Sequence, residues 1–162
     1  MLPNCRSPLC QLLFGLLPAM ALTQSALADD HQHRLAVPLL PKYQQECSAC
    51  HLAYPPGMLP AASWRRVMNR LSNHFGTDAS LDPTTGKEIT VWLAAHAGTR
   101  KGAQQEPPDD RITRSAWFSR KHHEMSAATW QLPKVKSAAN CAACHIRSDQ
   151  GDFNEHNVRI PR

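Results

Sequence analysis

The 162-residue sequence has few aromatic residues and no long uninterrupted apolar run. Phe, Trp and Tyr make up 6% of it, and its mean hydropathy is −0.44, so the side chains alone supply little material for a hydrophobic core. The apolar stretch from Leu9 to Leu22 is interrupted by Gly15 and Pro18 and is too short for a membrane span. Basic and acidic side chains number 18 and 13, for a formal net charge of +5. This small surplus argues against nucleic acid as a partner.

The first 28 residues have the features of a signal peptide. They carry a single charge, Arg6, ahead of the apolar stretch, and they end in Ala26-Leu27-Ala28, the small-x-small pattern of a signal-peptidase site. We therefore expect cleavage after Ala28, export to the periplasm, and no membrane span in the mature chain. The predicted organisation is a signal peptide at 1–28, an N-terminal extension at 29–43 and one domain at 44–162.

Cysteine occurs six times, and Cys5 and Cys10 leave with the signal peptide. The other four lie in Cys47-Ser48-Ala49-Cys50-His51 and Cys141-Ala142-Ala143-Cys144-His145. Both segments are CxxCH, the attachment motif for haem of the c type. Two thiols at this spacing can each form a thioether with a haem vinyl group, and the adjacent histidine then binds the iron from one side.

Disulfides or a four-thiolate zinc site would leave the two histidines of these motifs unexplained. The sequence therefore predicts two covalently bound haems of the c type. The predicted attachment residues are Cys47, Cys50, Cys141 and Cys144, and the predicted proximal iron ligands are His51 and His145.

The spacing of apolar residues predicts an all-α fold, because no segment shows the period-2 alternation of a strand. Long loops are expected to wrap around the haems. The predicted helices cover residues 44–52, 62–75, 83–98, 112–123, 126–131 and 137–146. In this scheme each CxxCH motif lies on a helix, and Asp82 is the N-cap of the third helix, with Pro83 in its first turn.

The ligand on the far side of each iron decides between electron transfer and ligand chemistry. The candidates are His31, His33, His74, His96, His122, His123 and His156, with the thioethers of Met58, Met68 and Met125. At 100° per residue, His74 lies at the edge of its helix's apolar stripe, whereas His96 lies directly beneath the apolar face of the third helix. On geometry alone His96 is at least as good a candidate. His122 shares a face with Phe118, which favours it over His123; packed or surface positions are the simpler interpretation of His96 and His123.

Several linked segments of the chain form a recognisable set between about Gln44 and Pro161. They are the first CxxCH, His74-Phe75-Gly76, Asp78-Ala79-Ser80-Leu81, Arg111-Ile112-Thr113, Lys121-His122-His123-Glu124, Val135-Lys136-Ser137, Asn140 with the second CxxCH, Gly151-Asp152-Phe153 and Val158-Arg159-Ile160-Pro161. With this set the chain resembles the dihaem cytochrome c family of bacterial periplasmic electron carriers. The resemblance implies bis-histidine ligation at both haems, with His74 and His122 as the far-side ligands, and makes residues 44–162 a dihaem cytochrome c domain.

The resemblance also implies a function, that of an electron carrier and not an enzyme. Members of the family are associated with a small high-spin, oxygen-binding c-type cytochrome and with a membrane b-type cytochrome, and the protein would relay electrons between the two. We expect a monomer, and low reduction potentials, because bis-imidazole ligation lacks the thioether that raises the potential. The alternatives are a haem enzyme (a peroxidase or nitrogen-oxide reductase) or a ligand sensor, each with one open iron.

Basic side chains are grouped on two predicted helices. They are Arg65, Arg66 and Arg70 on the second helix, and Arg111, Arg114, Arg120 and Lys121 ahead of the second CxxCH. Each group is either a solvated helix face or a set of partners for haem propionates, with which Arg pairs bidentately.

Cleavage after Ala28 would create a terminus that begins Asp29-Asp30-His31. Its amine, two amide nitrogens and imidazole could bind copper(II) or nickel(II) in a square-planar site. A solvated polar tail is the simpler interpretation.

Overall fold

The computed structural model describes residues 37–162; the predicted signal peptide and the Asp29-Asp30-His31 segment lie outside them. The described chain contains short α-helices joined by loops and 3-10 turns. The helices are α1 (Pro41–Cys47), α2 (Ala61–Met68), α3 (Pro83–Ala95), α4 (Ala116–Lys121) and α5 (Ala127–Trp130). Between residues 37 and 162 there are isolated β-bridges but no strand, which confirms the all-α prediction. No helix in this range is both long and apolar enough to cross a membrane.

Side-chain caps determine where three of the helices begin. The carboxylate of Asp82 accepts a hydrogen bond from the Thr85 amide at 3.0 Å, so α3 begins as predicted. The hydroxyls of Ser115 and Ser126 accept hydrogen bonds at 3.2 Å from the amides three positions further on. Ser115 therefore divides the predicted helix 112–123 into a 3-10 turn and α4.

Neither CxxCH motif lies on a continuous α-helix, contrary to the prediction. Helix α1 ends at Cys47, and the rest of the first motif is in turns. Within the predicted helix 137–146, the only helical residues are the 3-10 turn Cys141–Ala143. Here the hydroxyl of Ser137 accepts a hydrogen bond from the backbone amide of Ala139. The side-chain amide of Asn140 donates to the Val135 carbonyl. Such local bonds compete with the α-helical ladder.

Helix α2 also ends earlier than predicted, at Met68, and a 3-10 turn at Leu71–Asn73 leads from it to a tight turn at His74. The amide of His74 donates to the Thr77 carbonyl at 2.7 Å, and the Thr77 amide donates to the His74 carbonyl at 3.1 Å. Phe75 and Gly76 between them have φ of 52° and 100°, as a two-residue hairpin turn with positive φ at both central positions requires. The prediction that His74 lies on a helix is therefore wrong, and Gly76 belongs to this turn.

The hydrophobic core lies between the first three helices. Its buried cluster consists of Tyr43, Ala53, Leu59, Trp64, Ile89 and Leu93. Ile89 and Leu93 are fully buried, as the apolar spacing of α3 predicts, and each contributes about 2 kcal/mol of burial free energy. By contrast, Val135 and Ser148 are the only buried residues among 119–162, all of which the structure describes. The carboxyl-terminal quarter therefore has very little core of its own.

Candidate functional site

Two histidine rings face one another beside the first CxxCH motif. The ring centroids of His51 and His74 are 5.9 Å apart, and the ring planes differ by 23°; we call these residues the first histidine pair. His51 follows the turns after α1, and its Nδ1 lies 2.7 Å from the Leu52 carbonyl oxygen. A hydrogen bond from Nδ1 to that carbonyl leaves Nε2 with its lone pair free for a metal.

A second pair lies beside the second CxxCH motif. The ring centroids of His122 and His145 are 6.1 Å apart and the planes differ by 76°; we call these residues the second histidine pair. His122 caps the end of α4, where its Nδ1 lies 2.9 Å from the Phe118 carbonyl oxygen and its ring stacks on Phe118 at 4.0 Å. The amide of His145 donates to the Cys141 carbonyl at 2.8 Å, which ties it to the 3-10 turn of its motif.

The spacing within each pair matches two imidazoles bound to opposite faces of one iron. With a metal–nitrogen bond of about 2 Å on each side, the ring centroids of such a pair are about 6 Å apart. Burial, then the positive charges of His51 and Arg111, lowers the pKa of His74. Burial and the charge of His122 likewise lower the pKa of His145, although Asp152 opposes the shift. Both shifts favour the neutral imidazole, which is the form that binds a metal.

None of the four cysteines of the two motifs is in a disulfide. Burial, and then the charge of Glu46, raises the pKa of the Cys47 thiol to about 11. Burial is also the main cause that raises the pKa of the Cys141 thiol to about 11. Within residues 37–162 no three or more His, Cys, Asp or Glu side chains are grouped so as to hold a metal ion. The described cysteines therefore do not form a four-thiolate zinc site.

The other far-side candidates within the described chain have different surroundings. His96 is partly buried against Trp92, whose ring centroid lies 5.0 Å from its own and whose carbonyl oxygen lies 2.8 Å from its Nδ1. The side chain of His123 is 72% exposed and lies 3.8 Å from a Glu124 carboxylate oxygen. Met58 is buried in the core. The structure thus brings His74 and His122, and not these residues, opposite the motif histidines.

The arginines near the first histidine pair fall into two kinds. Arg66 makes a two-pronged ion pair with Asp110 at 2.6 and 3.0 Å and also pairs with Glu106 at 2.8 Å. Arg111 instead lies over the Phe75 ring, 4.3 Å from its centroid. Arg70 and Arg111 line a cavity of about 360 Å³ that also adjoins His74. Arg66 lines the same cavity, but its guanidinium is held by Asp110 and Glu106.

Sequence reasoning missed the aromatic residues that surround the histidines. The rings of Trp130 and Phe153 lie 5.8 Å and 5.2 Å from those of His122 and His145. Tyr54 stacks on His51 with centroids 5.0 Å apart, and its hydroxyl donates to the Ala139 carbonyl at 2.8 Å. Helical periodicity does not mark these contacts, because the residues other than Trp130 lie outside the helices and the bond from Tyr54 to Ala139 spans 85 positions.

Comparison with known proteins agrees with the prediction of two haem sites. The family model for dihaem cytochrome c matches residues 43–153. A diheme cytochrome c from Rhodobacter sphaeroides, known from its structure, is 42% identical, with a TM-score of 0.65, and the match covers 73% of this chain and 99% of that one. A diheme cytochrome type c from Shewanella baltica OS155 is 41% identical, with a TM-score of 0.67, and the match covers 77% of this chain and 95% of that one.

No curated protein was found to match the chain. The family model nevertheless covers more than half of the sequence, and the two solved structures are matched over nearly their whole length. With two CxxCH motifs, each beside a pair of facing imidazoles, this chain belongs to the dihaem cytochrome c family, whose members carry two haems of the c type.

Proposed function

We propose that the protein transfers electrons in the periplasm through two six-coordinate haems, each bound by two histidines. Cys47 and Cys50 attach the first haem, and Cys141 and Cys144 attach the second. His51 and His74 bind the first iron, and His145 and His122 bind the second. The observation that carries this proposal is the 5.9 and 6.1 Å separation of the facing rings, because it leaves room for one iron between each pair.

When bound, each haem supplies an iron that takes up and releases one electron. Each histidine pair would supply two ligands to its iron and would leave no ligand position open for a substrate, which argues against an enzyme or a ligand sensor. Hydrogen bonds to backbone carbonyls fix the rings of His51 and His122, and such outer contacts orient the ligand and raise its basicity.

The arginines beside the first pair have a further role in this proposal. Haem propionates are anions, and the guanidinium groups of Arg70 and Arg111 line the cavity next to His74. Arg is suited to bind a carboxylate through two parallel hydrogen bonds. We assign these two side chains, and not Arg66, to the propionates of the first haem, because Arg66 is held by Asp110 and Glu106.

For the partners, we propose the relay that the family suggests. The protein would relay electrons between a membrane b-type cytochrome and a small high-spin, oxygen-binding c-type cytochrome. The carrier would act as a monomer and meet its partners transiently, so the association rates should fall as salt rises.

Two measurements on protein purified from the periplasm test the ligation and the function together. Intact mass should fit two haems and no free thiol. Electron paramagnetic resonance with a potentiometric titration should show two low-spin ferric haems, each reduced in a one-electron step at low potential. Carbon monoxide binding to one haem per molecule, or a high-spin ferric signal of that size, would instead support an enzyme or sensor with an open iron.

A further inference from the structure

Tyr54 contacts both haem-attachment regions at once. Its ring is nearly parallel to that of His51, with an angle of 22° and a centroid separation of 5.0 Å. Its hydroxyl donates a 2.8 Å hydrogen bond to the carbonyl of Ala139, two positions before Cys141. The Cys141 sulfur also lies 3.7 Å from that carbonyl oxygen. A single side chain therefore links the histidine of the first motif to the first cysteine of the second.

The backbone of Tyr54 is itself held by the core. The hydroxyl of Tyr43, a residue that is 3% exposed, donates to the Tyr54 carbonyl at 2.8 Å. Ala53 and Pro55 on either side are buried. Residues 119–162 have little core of their own. The hydrogen bond from the Tyr54 hydroxyl to Ala139 therefore ties this poorly packed region to the well-packed part of the chain.

We propose that Tyr54 is a positioning residue that couples the two haem sites. Its ring orients the His51 imidazole, and its hydroxyl holds the segment that carries Cys141 and His145 at a constant place relative to the first site. Exchange between the haems moves one electron, so that one iron is oxidised as the other is reduced, and Tyr54 neither gains nor loses an electron or a proton. Its part is to keep the separation and orientation of the two sites constant.

The test uses the full-length holoprotein with three variants. Tyr54→Phe keeps the ring and removes the hydroxyl, whereas Tyr54→Leu removes both. Thr90→Val is the matched control, because it deletes a hydroxyl bonded to a backbone carbonyl, that of Gly86 within α3 at 2.6 Å, and this bond is not among the hydrogen bonds of Tyr54.

In Tyr54→Phe, amide hydrogen exchange at Cys144 and His145 should become about fivefold faster, the equivalent of one lost hydrogen bond of about 1 kcal/mol. Electron exchange between the haems should slow, while the low-spin signal of the first haem stays unchanged. In Tyr54→Leu, that signal should shift as well, because the His51 ring loses the plane on which it stacks. Thr90→Val should leave exchange at Cys144 and His145 unchanged.

The proposal is overturned if Tyr54→Phe and Thr90→Val give the same exchange at the second motif. It is also overturned if Tyr54→Leu leaves the first haem's signal unaltered. All three variants should keep two low-spin haems. An open, high-spin iron in the unmodified protein would contradict the ligand assignment proposed above and would leave this test of Tyr54 in force.

Discussion

Replacing His122 by Ala should open one of the two irons. In the structure His122 lies opposite His145, at 6.1 Å between centroids, so under the proposed ligation its loss would remove one of four histidine ligands and should turn half of the haem high-spin. The variant also loses the ring's stacking on Phe118 and its contact with Trp130. We therefore expect the free energy of unfolding to fall by about 2 kcal/mol. Optical and electron paramagnetic resonance spectra of the ferric protein measure the high-spin fraction.

Two controls separate ligation from packing in this experiment. His123→Ala alters a neighbouring histidine that is 72% exposed, and it should leave both haems low-spin. Added imidazole should restore the low-spin spectrum of His122→Ala, a rescue that a purely structural role would not produce. The reasoning fails if His123→Ala opens an iron while His122→Ala remains low-spin.

Three further predictions follow from the geometry of the described residues. His74→Ala should open the other iron and make half of the haem high-spin, whereas His96→Ala should not; the reverse result would move the far-side ligand to α3. The ferric protein should give two distinct low-spin signals, with the larger maximum g value from the nearly perpendicular rings of the second histidine pair, and a single signal of double intensity would contradict this. Asp110→Asn should lower the free energy of unfolding by about 2 kcal/mol near neutral pH, because it breaks the pair with Arg66, and Asp109→Asn, in an exposed pair, should cost less than about 0.5 kcal/mol. The hydrogen bond from Arg66 lowers the pKa of folded Asp110, so its stabilisation is present above the unfolded pKa of about 4 and is lost as pH falls through the folded value. The difference between Asp110→Asn and the unmodified protein, measured by denaturant unfolding, should therefore shrink below about pH 4.

The parts of the fold that sequence reasoning predicted well depend on local signals. Asp82 and Pro83 mark the start of α3 through a cap and a restricted φ, and the spacing of Ile89 and Leu93 places them in the core. Such signals act within one or two turns of helix, so a single segment contains all the information they need.

The parts that were missed depend on an uncommon backbone conformation, on local side-chain bonds, and on one contact between distant segments. The turn at His74 needs positive φ at both Phe75 and Gly76, and a bulky residue with φ above zero is uncommon enough that the helical pattern looked preferable. The bond from Tyr54 to Ala139 spans 85 positions. At the second CxxCH, Ser137 and Asn140 bond to nearby backbone and prevent the predicted helix.

The scarcity of buried residues after position 118 has a consequence for how the protein matures. Before its cofactor is attached, that region has little apolar burial to offset the entropy of ordering its backbone, whereas the cluster around Trp64 and Ile89 can form from side chains alone. Assembly should thus proceed in stages, with a preformed core between the first three helices and an open carboxyl-terminal quarter that presents Cys141 and Cys144 for haem attachment. A chain that stalled at the first haem would be readily degraded, so cells short of haem should not accumulate a one-haem form.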